Sequence, residues 1–278
     1  MKFSPDRAFR SEACTRCGSC GIVCPSGAIR SRVGEPPLFI PDRCIGCGHC
    51  ASVCPADAFS FQCETGRAAG AGETMELFRR RRSIRFFRPE QVPDEVLRKL
   101  LEPVGYSPTG VNACGLRVAC FRGPDVAGLL FEPLRRFLRP LWKCGLLRLG
   151  AAAAGMSGQV RRLLEGEDLV FRGAPLVLVF LVPRRNPTWR SDAAIAASLV
   201  MIQAQALGLG SLWNGVAEKA WPLVREWHRP AGGAGGLRAG AILCVGYAAM
   251  EMKPIPPRDW LLVEAAPGRP AGDPVSRS

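Results

Sequence analysis

The chain has 278 residues, 47% of them hydrophobic, and a formal net charge of +13. The hydrophobic share excludes a disordered chain, and the length allows one or two domains. No run of 18 apolar residues occurs, so no transmembrane helix is expected.

The positive charge is uneven. Residues 1–72 carry eight Lys/Arg and six Asp/Glu, whereas the remainder carries 29 and 18. A basic surface suits nucleic acid, membrane or acidic partners. No zinc-finger, RNA-binding or helix-turn-helix pattern accompanies it, so no nucleic-acid partner is expected. The start, MKFSPDRAFR, has no apolar stretch of the kind export signals carry. With 13 cysteines, this points to a reducing cytoplasm.

In chain order, residues 1–13 read as a short edge strand and lead-in. Next come two runs of the form C-x2-C-x2-C-x3-C-P: Cys14, Cys17, Cys20, Cys24 and Pro25, then Cys44, Cys47, Cys50, Cys54 and Pro55. The offset is 30 residues, and Gly18/Gly48, Val23/Val53 and Ala28/Ala58 also match, so this is an internal repeat. Eight cysteines at this spacing build two [4Fe–4S] clusters, the fourth Cys of each run crossing to the other cluster. Cys14, Cys17, Cys20 and Cys54 are therefore expected to hold one cluster, and Cys44, Cys47, Cys50 and Cys24 the other. Gly18, Gly46 and Gly48 let the loops wrap closely. Zinc sites use pairs of cysteines rather than a third at x2 and a fourth before Pro. Residues 8–64 resemble bacterial-type two-cluster ferredoxins.

Ala28–Arg32 and Leu38–Ile40 read as strands around Pro36-Pro37, and Ala58–Gln62 as a closing strand. Cys63 is read as a spare buried thiol, and His49 as a surface residue. Gly66–Gly72 (GRAAGAG) reads as a flexible linker. The expected division is a ferredoxin-like domain over 1–65, a linker over 66–72 and a second domain over 73–278.

The second domain is expected to open with a helix capped by Thr74 and running to Arg82. Arg79–Arg82 continues into Ser83, Ile84 and Arg85, a pattern suited to phosphate: guanidinium forks for the dianion and a hydroxyl for a further oxygen. A helix is expected over Val92–Val104, then a small polar loop (GYSPTGVN) and a strand over Leu116–Phe121. Residues 131–168 hold apolar residues at helical spacing (Phe131, Leu134, Phe137, Leu138, Leu141, Trp142) among basic ones. On their own they read as a dimer-interface helix or as a basic amphipathic segment loosely associated with a membrane surface. The continuous apolar run PLVLVFLVP reads as a buried strand. Ser191-Asp192 is expected to cap a helix over Ala193–Ala206, a further helix to cover Lys219–His228, and Ala239–Gly246 to form the last buried strand.

Five pieces in order (RRSIR at 81–85, SPTGVN at 107–112, the helix ending in GLGSLWNG, the strand ending Gly246-Tyr247, and KPIPPR) make residues 73–260 resemble the nitroreductase family. The resemblance implies an α+β fold, with a mostly antiparallel central sheet flanked by helices, and an FMN site. Arg81, Arg82, Ser83 and Arg85 match the phosphate and ribityl motif. Ser107, Pro108, Thr109 and Asn112 match the loop along the ribityl chain and ring. Lys253 and Arg258 match basic residues that return to the phosphate. Asn214 and Gly215 match the turn whose backbone approaches the ring, and Trp213 takes an often aromatic position near it. The loop departs from the family pattern after Asn112, where Ala113, Cys114, Gly115 and Leu116 replace x-Gln-Pro-Trp. The resemblance also implies a homodimer binding FMN at its interface, and a variable region at 131–168 that covers the flavin, so a substrate lid is the preferred reading there. No acid/base constellation appears: the two histidines are His49 and His228. No G-x-G-x-x-G follows a strand, so no Rossmann domain is expected.

The whole chain thus resembles ferredoxin–nitroreductase fusions. It is expected to pass electrons through two clusters to FMN and on to a nitroaromatic, quinone or enone-like small-molecule acceptor. Reduced ferredoxin, flavodoxin or NAD(P)H are the candidate donors. The alternative is an electron relay whose basic surface docks an acidic redox protein.

Overall fold

The structure, a computed structural model, describes residues 5–59, 69–123, 126–229, 231 and 235–253. The sequence repeat is also a structural one. After a helical turn α1 (Pro5–Ala8), each copy has a 3-10 turn, Ser11–Ala13 or Pro41–Arg43. A cysteine loop and a one-turn helix follow, α2 (Ser19–Ile22) in the first copy and α3 (His49–Ser52) in the second. Gly18 and Gly48 stand at the two N-caps with φ of 81° and 75°. A Cβ at either would meet no protein atom closer than 3.5 Å. The left-handed backbone, rather than protein crowding, is therefore what selects glycine there.

Between the copies, β1 (Ile29–Arg30) pairs antiparallel with β2 (Leu38–Phe39). In place of the edge strand expected over 1–13, the described part contains α1, and Phe9 alone bridges to Phe59. The Phe9 ring lies 5.2 Å from that of Phe39 and 5.4 Å from that of Phe59, over a small core of Ile29, Cys50 and Phe59. Of the expected closing strand, residues 60–62 lie outside the described part, as does Cys63.

α4 (Ala71–Arg80) starts earlier than a Thr74 cap implies, and it ends two residues before Arg82. Gly70 is at its N-cap, where the Glu73 carboxylate accepts the Gly70 N–H at 2.8 Å. That bond satisfies a free amide of the first turn and draws Ala71 and Gly72 into the helix. α5 (Asp94–Leu101) follows and leads through a 3-10 turn to the polar loop at 107–115.

The main sheet has four strands in the order β3-β4-β6-β5: β3 (Arg117–Arg122), β4 (Leu176–Pro183), β6 (Leu237–Gly246) and β5 (Gly210–Trp213). Every pairing is antiparallel. β4 is buried through residues 176–182 because both its faces are covered. Val177, Val179 and Leu181 face one core with Trp221 and Trp227. Leu176, Leu178, Phe180 and Val182 face the other, made with α9 (Trp189–Ala206). Each such side chain contributes about 1.5–3 kcal/mol on burial. An alternating strand would have left one face to water.

Three helices make up most of residues 131–168: the end of α6 (Val126–Lys143), α7 (Leu146–Ala153) and α8 (Ser157–Glu165). Phe131 and Leu134 are buried in the first core, and Trp227 Nε1 donates to Leu130 O at 2.9 Å. The front of α6 is therefore core packing. α9 begins at Trp189, four residues before the expected Ala193, because Asn186 Oδ1 accepts from Thr188 N (2.9 Å) and Oγ1 (2.8 Å). That turn starts the helix early. The helix expected over Lys219–His228 is instead α10 (Gly215–Ala220) plus a 3-10 turn at Arg225–Trp227. Pro222 has no N–H to continue the ladder.

Candidate functional site

The eight cysteines of the repeat divide between two cavities. One is lined by Cys14, Cys17, Cys20 and Cys54. The other is lined by Cys24, Cys44, Cys47 and Cys50. Each cavity thus takes three cysteines from one run and the fourth from the other, as the helical turns α2 and α3 lie side by side. Among the described residues no group of three Cys, His, Asp or Glu is arranged around a single metal ion; the thiols surround a space.

Backbone amides point at the sulfurs in matching places. Arg16 N lies 3.4 Å from Cys14 Sγ, and Gly46 N lies 3.3 Å from Cys44 Sγ. Both residues are left-handed, at φ 56° and 67°. Ala58 N also donates to Cys54 Sγ at 3.3 Å. Burial pushes the Cys50 thiol up to about 11 and raises Cys20. At exposed Cys17 the Ser19 hydroxyl holds the thiol below its usual range. A metal loading these sites displaces the protons of the buried thiols. Four soft sulfur donors around a space, with N–H groups aimed at them, fit an iron–sulfur cube. His49 is exposed.

In the second half, residues 83–88 run along the sheet edge. Ser83 bridges Ser211 in parallel, Ile84 N donates to Ser211 O at 3.0 Å, and Arg88 N to Tyr247 O at 2.8 Å. A Cβ on Gly210 would lie 2.6 Å from Ile84 Cγ1, so glycine is what lets the segment approach β5. Arg81, Arg82 and Ser83 are half-buried and Arg85 is exposed. Arg82 Nε is buried and has no hydrogen-bond partner. A buried charged donor without an acceptor costs free energy that an anion offsets, so this segment fits a phosphate. A cavity of about 340 Å³ next to it is lined by Arg80, Ile84, Gly208, Gly210, Met252 and Lys253. The fold thus brings Lys253 to the arginine segment. Arg80, which the motif match passed over, lies there too; its signal was its place in the four-arginine run. Arg258 lies outside the described residues.

The loop at 107–115 is held in an unusual shape. Val111, Asn112 and Cys114 have φ of 48°, 51° and 50°. Asn tolerates this conformation, whereas a β-branched Val resists it. The ties that hold the loop are visible. Gly110 N donates to Asp192 Oδ1 at 3.2 Å, and Asp192 Oδ2 accepts from Asn186 Nδ2 at 2.7 Å. Cys114 N donates to Thr109 Oγ1 at 3.0 Å, and Ser107 Oγ to Val104 O at 2.8 Å. Pro108 is exposed, whereas Ser107, Thr109 and Asn112 are half-buried. Asp192, only 2% exposed, is therefore a loop anchor inside α9 rather than its cap. Its signal in the sequence was an acid in an otherwise small, apolar helix. The Asn112 amide reaches the other half of the chain, with Nδ2 donating to Ile45 O at 2.8 Å.

Asn214 is buried with its side chain fully engaged. Oδ1 caps α10 through Ala217 N at 3.0 Å, and Nδ2 donates to Val170 O at 3.0 Å. Any ligand at this turn meets backbone, as at exposed Gly215. Trp213 is half-buried against the α9 core and donates Nε1 to Glu218 at 3.2 Å.

Comparison with known proteins matches two parts of the chain. Residues 11–59 match the 4Fe-4S dicluster domain, and residues 78–247 match the nitroreductase family. Among solved structures, the fold is similar to a nitroreductase with bound FMN from Bacteroides fragilis. The TM-score is 0.54 and the identity 21%, over 69% of this chain and 99% of that one. A nitroreductase with bound FMN from Desulfitobacterium hafniense gives 0.53 and 21%, over 66% and 94%. With the antiparallel sheet, its flanking helices and the matched span in agreement, the chain belongs to the nitroreductase family and carries a 4Fe-4S dicluster domain ahead of the nitroreductase fold.

Proposed function

We propose that the chain is an iron–sulfur flavoprotein oxidoreductase that takes electrons in through two [4Fe–4S] clusters and delivers them, by way of FMN, to an organic acceptor of the nitroaromatic, quinone or enone class. The observation that most supports this is the division of eight cysteines into two cavities ahead of a nitroreductase fold whose Arg82 Nε is buried without an acceptor. FMN supplies the two-electron chemistry when bound. The chain's residues do the holding. Arg81, Arg82, Ser83, Arg85 and Lys253 take the phosphate, with Arg258 assigned by motif alone. Ser107, Pro108, Thr109 and Asn112 line the ribityl and ring side, and the backbone at Asn214 and Gly215 approaches the ring. Cys14, Cys17, Cys20 and Cys54 bind one cluster, and Cys24, Cys44, Cys47 and Cys50 the other.

Exposed apolar residues on neighbouring helices, Met75 and Phe78 on α4 with Ile195 and Leu199 on α9, support a homodimer. Anaerobic purification followed by iron, sulfide and flavin analysis tests the reading. About eight iron, eight sulfide and one FMN per chain are expected for two cubes and one flavin site. A colourless protein holding zinc would overturn it.

A second reading is an electron relay to an acidic redox protein. It draws on a cavity of about 430 Å³ rimmed by Arg184, Arg190, Lys219 and Arg238 beside Trp189 and Trp221. Reduction of a partner protein but of no small molecule would favour it.

A further inference from the structure

The two cysteine sets are related by the repeat, so nothing in their spacing says which of them faces the nitroreductase half. The structure breaks the symmetry at one residue. Ile45, between ligand candidates Cys44 and Cys47, presents its carbonyl to Asn112 Nδ2 at 2.8 Å. The same Ile45 lines the cavity of Cys24, Cys44, Cys47 and Cys50. Both cavities are lined by residues of the ferredoxin half, so the asymmetry rests on the Asn112–Ile45 bond.

Asn112 is well suited to this contact. It sits at φ 51° in a loop that Asp192 holds through Gly110 and Thr109 holds through Cys114 N. Asn is among the few residues that occupy this conformation at low cost. A strained loop persists only where its surroundings over-determine it, and here one of the restraints comes from the second cysteine loop.

We propose that Asn112 is the junction residue of the chain: it docks the Cys44–Cys47 loop on the 107–115 loop and makes the Cys24/Cys44/Cys47/Cys50 set the cluster next to the flavin. This rests on the function proposed above. The Cys14/Cys17/Cys20/Cys54 set is then the entry side, facing an external one-electron donor. With the clusters and FMN bound, the donor would give up one electron at a time through the outer and then the inner cluster, and two such electrons with two protons from solvent would reduce the flavin.

The test uses the whole holoprotein and two variants. Asn112→Gly removes the amide without straining a left-handed backbone, and Asn112→Asp keeps the shape but replaces the donor with an acceptor. Cys17→Ala and Cys47→Ala first assign the two cluster signals in electron paramagnetic resonance. Because cluster potentials follow hydrogen bonding and solvent exposure, a redox titration of each Asn112 variant is expected to shift the midpoint of the signal lost in Cys47→Ala and to leave the other in place. Hydrogen–deuterium exchange is expected to show lost protection over residues 44–48 and none lost over 14–18. A shift confined to the signal lost in Cys17→Ala, or unchanged potentials and exchange in both variants, would overturn the junction. Wild-type protein without iron or flavin would instead overturn the functional reading on which it rests.

Discussion

At the scale of single residues, the site is defined by polar groups that the fold itself leaves wanting a partner or places under tension. Arg82 Nε is buried with no acceptor. Hydrogen bonds to charged groups contribute about 1.5–3 kcal/mol, so Arg82→Ala is expected to weaken FMN binding by about tenfold to a hundredfold while iron content is unchanged. Flavin and iron analysis of the purified variant checks this, and a full complement of flavin would contradict the phosphate assignment. Asp192 acts one step away. Its removal leaves the Gly110 amide and the Asn186 carboxamide unpaired, at about 1–3 kcal/mol for an unsatisfied buried group. Asp192→Ala is therefore expected to lower both the thermal midpoint and FMN affinity. Unchanged flavin affinity at a lowered midpoint would show that the anchor serves stability alone.

At the scale of elements, the cysteine runs make a sharp statement, because the fourth cysteine of each run lines the other run's cavity. Cys54→Ala is expected to abolish the same paramagnetic signal as Cys17→Ala, and Cys24→Ala the same one as Cys47→Ala. Loss within the run instead would break the crossed assignment. α6 gives the second test at this scale. Leu134 is 1% exposed in the core, so Leu134→Ala should destabilise the protein by about 2–5 kcal/mol, as core truncations do. A denaturation midpoint close to that of the native chain would mean that the helix moves as a lid.

These elements also show what was legible in the sequence. The cysteine spacing, the apolar β4 run and the RRSIR segment each carry a dense local signal, and each was readable as chemistry or burial. Helix starts were less so. α4 begins on a Gly70–Glu73 bond and α9 on an Asn186 turn, small polar contacts that compete with other plausible caps nearby. The roles of Asp192 and Asn112 were hidden for a different reason: their partners lie 82 and 67 residues away in the chain, and only tertiary folding brings them together.

At the scale of the whole molecule, a cluster-binding unit and a nitroreductase fold share one chain, and a hydrogen bond from Asn112 to Ile45 joins them. Covalent linkage raises the effective concentration of one redox unit at the other, so internal transfer needs no encounter. On the function proposed above, the clusters serve input from one-electron donors, whereas direct hydride input from a nicotinamide at the flavin would bypass them. Anaerobic mixing of the holoprotein with reduced ferredoxin or flavodoxin, following the flavin absorbance, tests most directly whether the clusters feed the flavin. Rapid bleaching of the flavin is expected in the native chain, and its loss in a flavin-loaded Cys47→Ala variant. Equal bleaching in both, or reduction by NADPH alone with the clusters dispensable, would contradict that route.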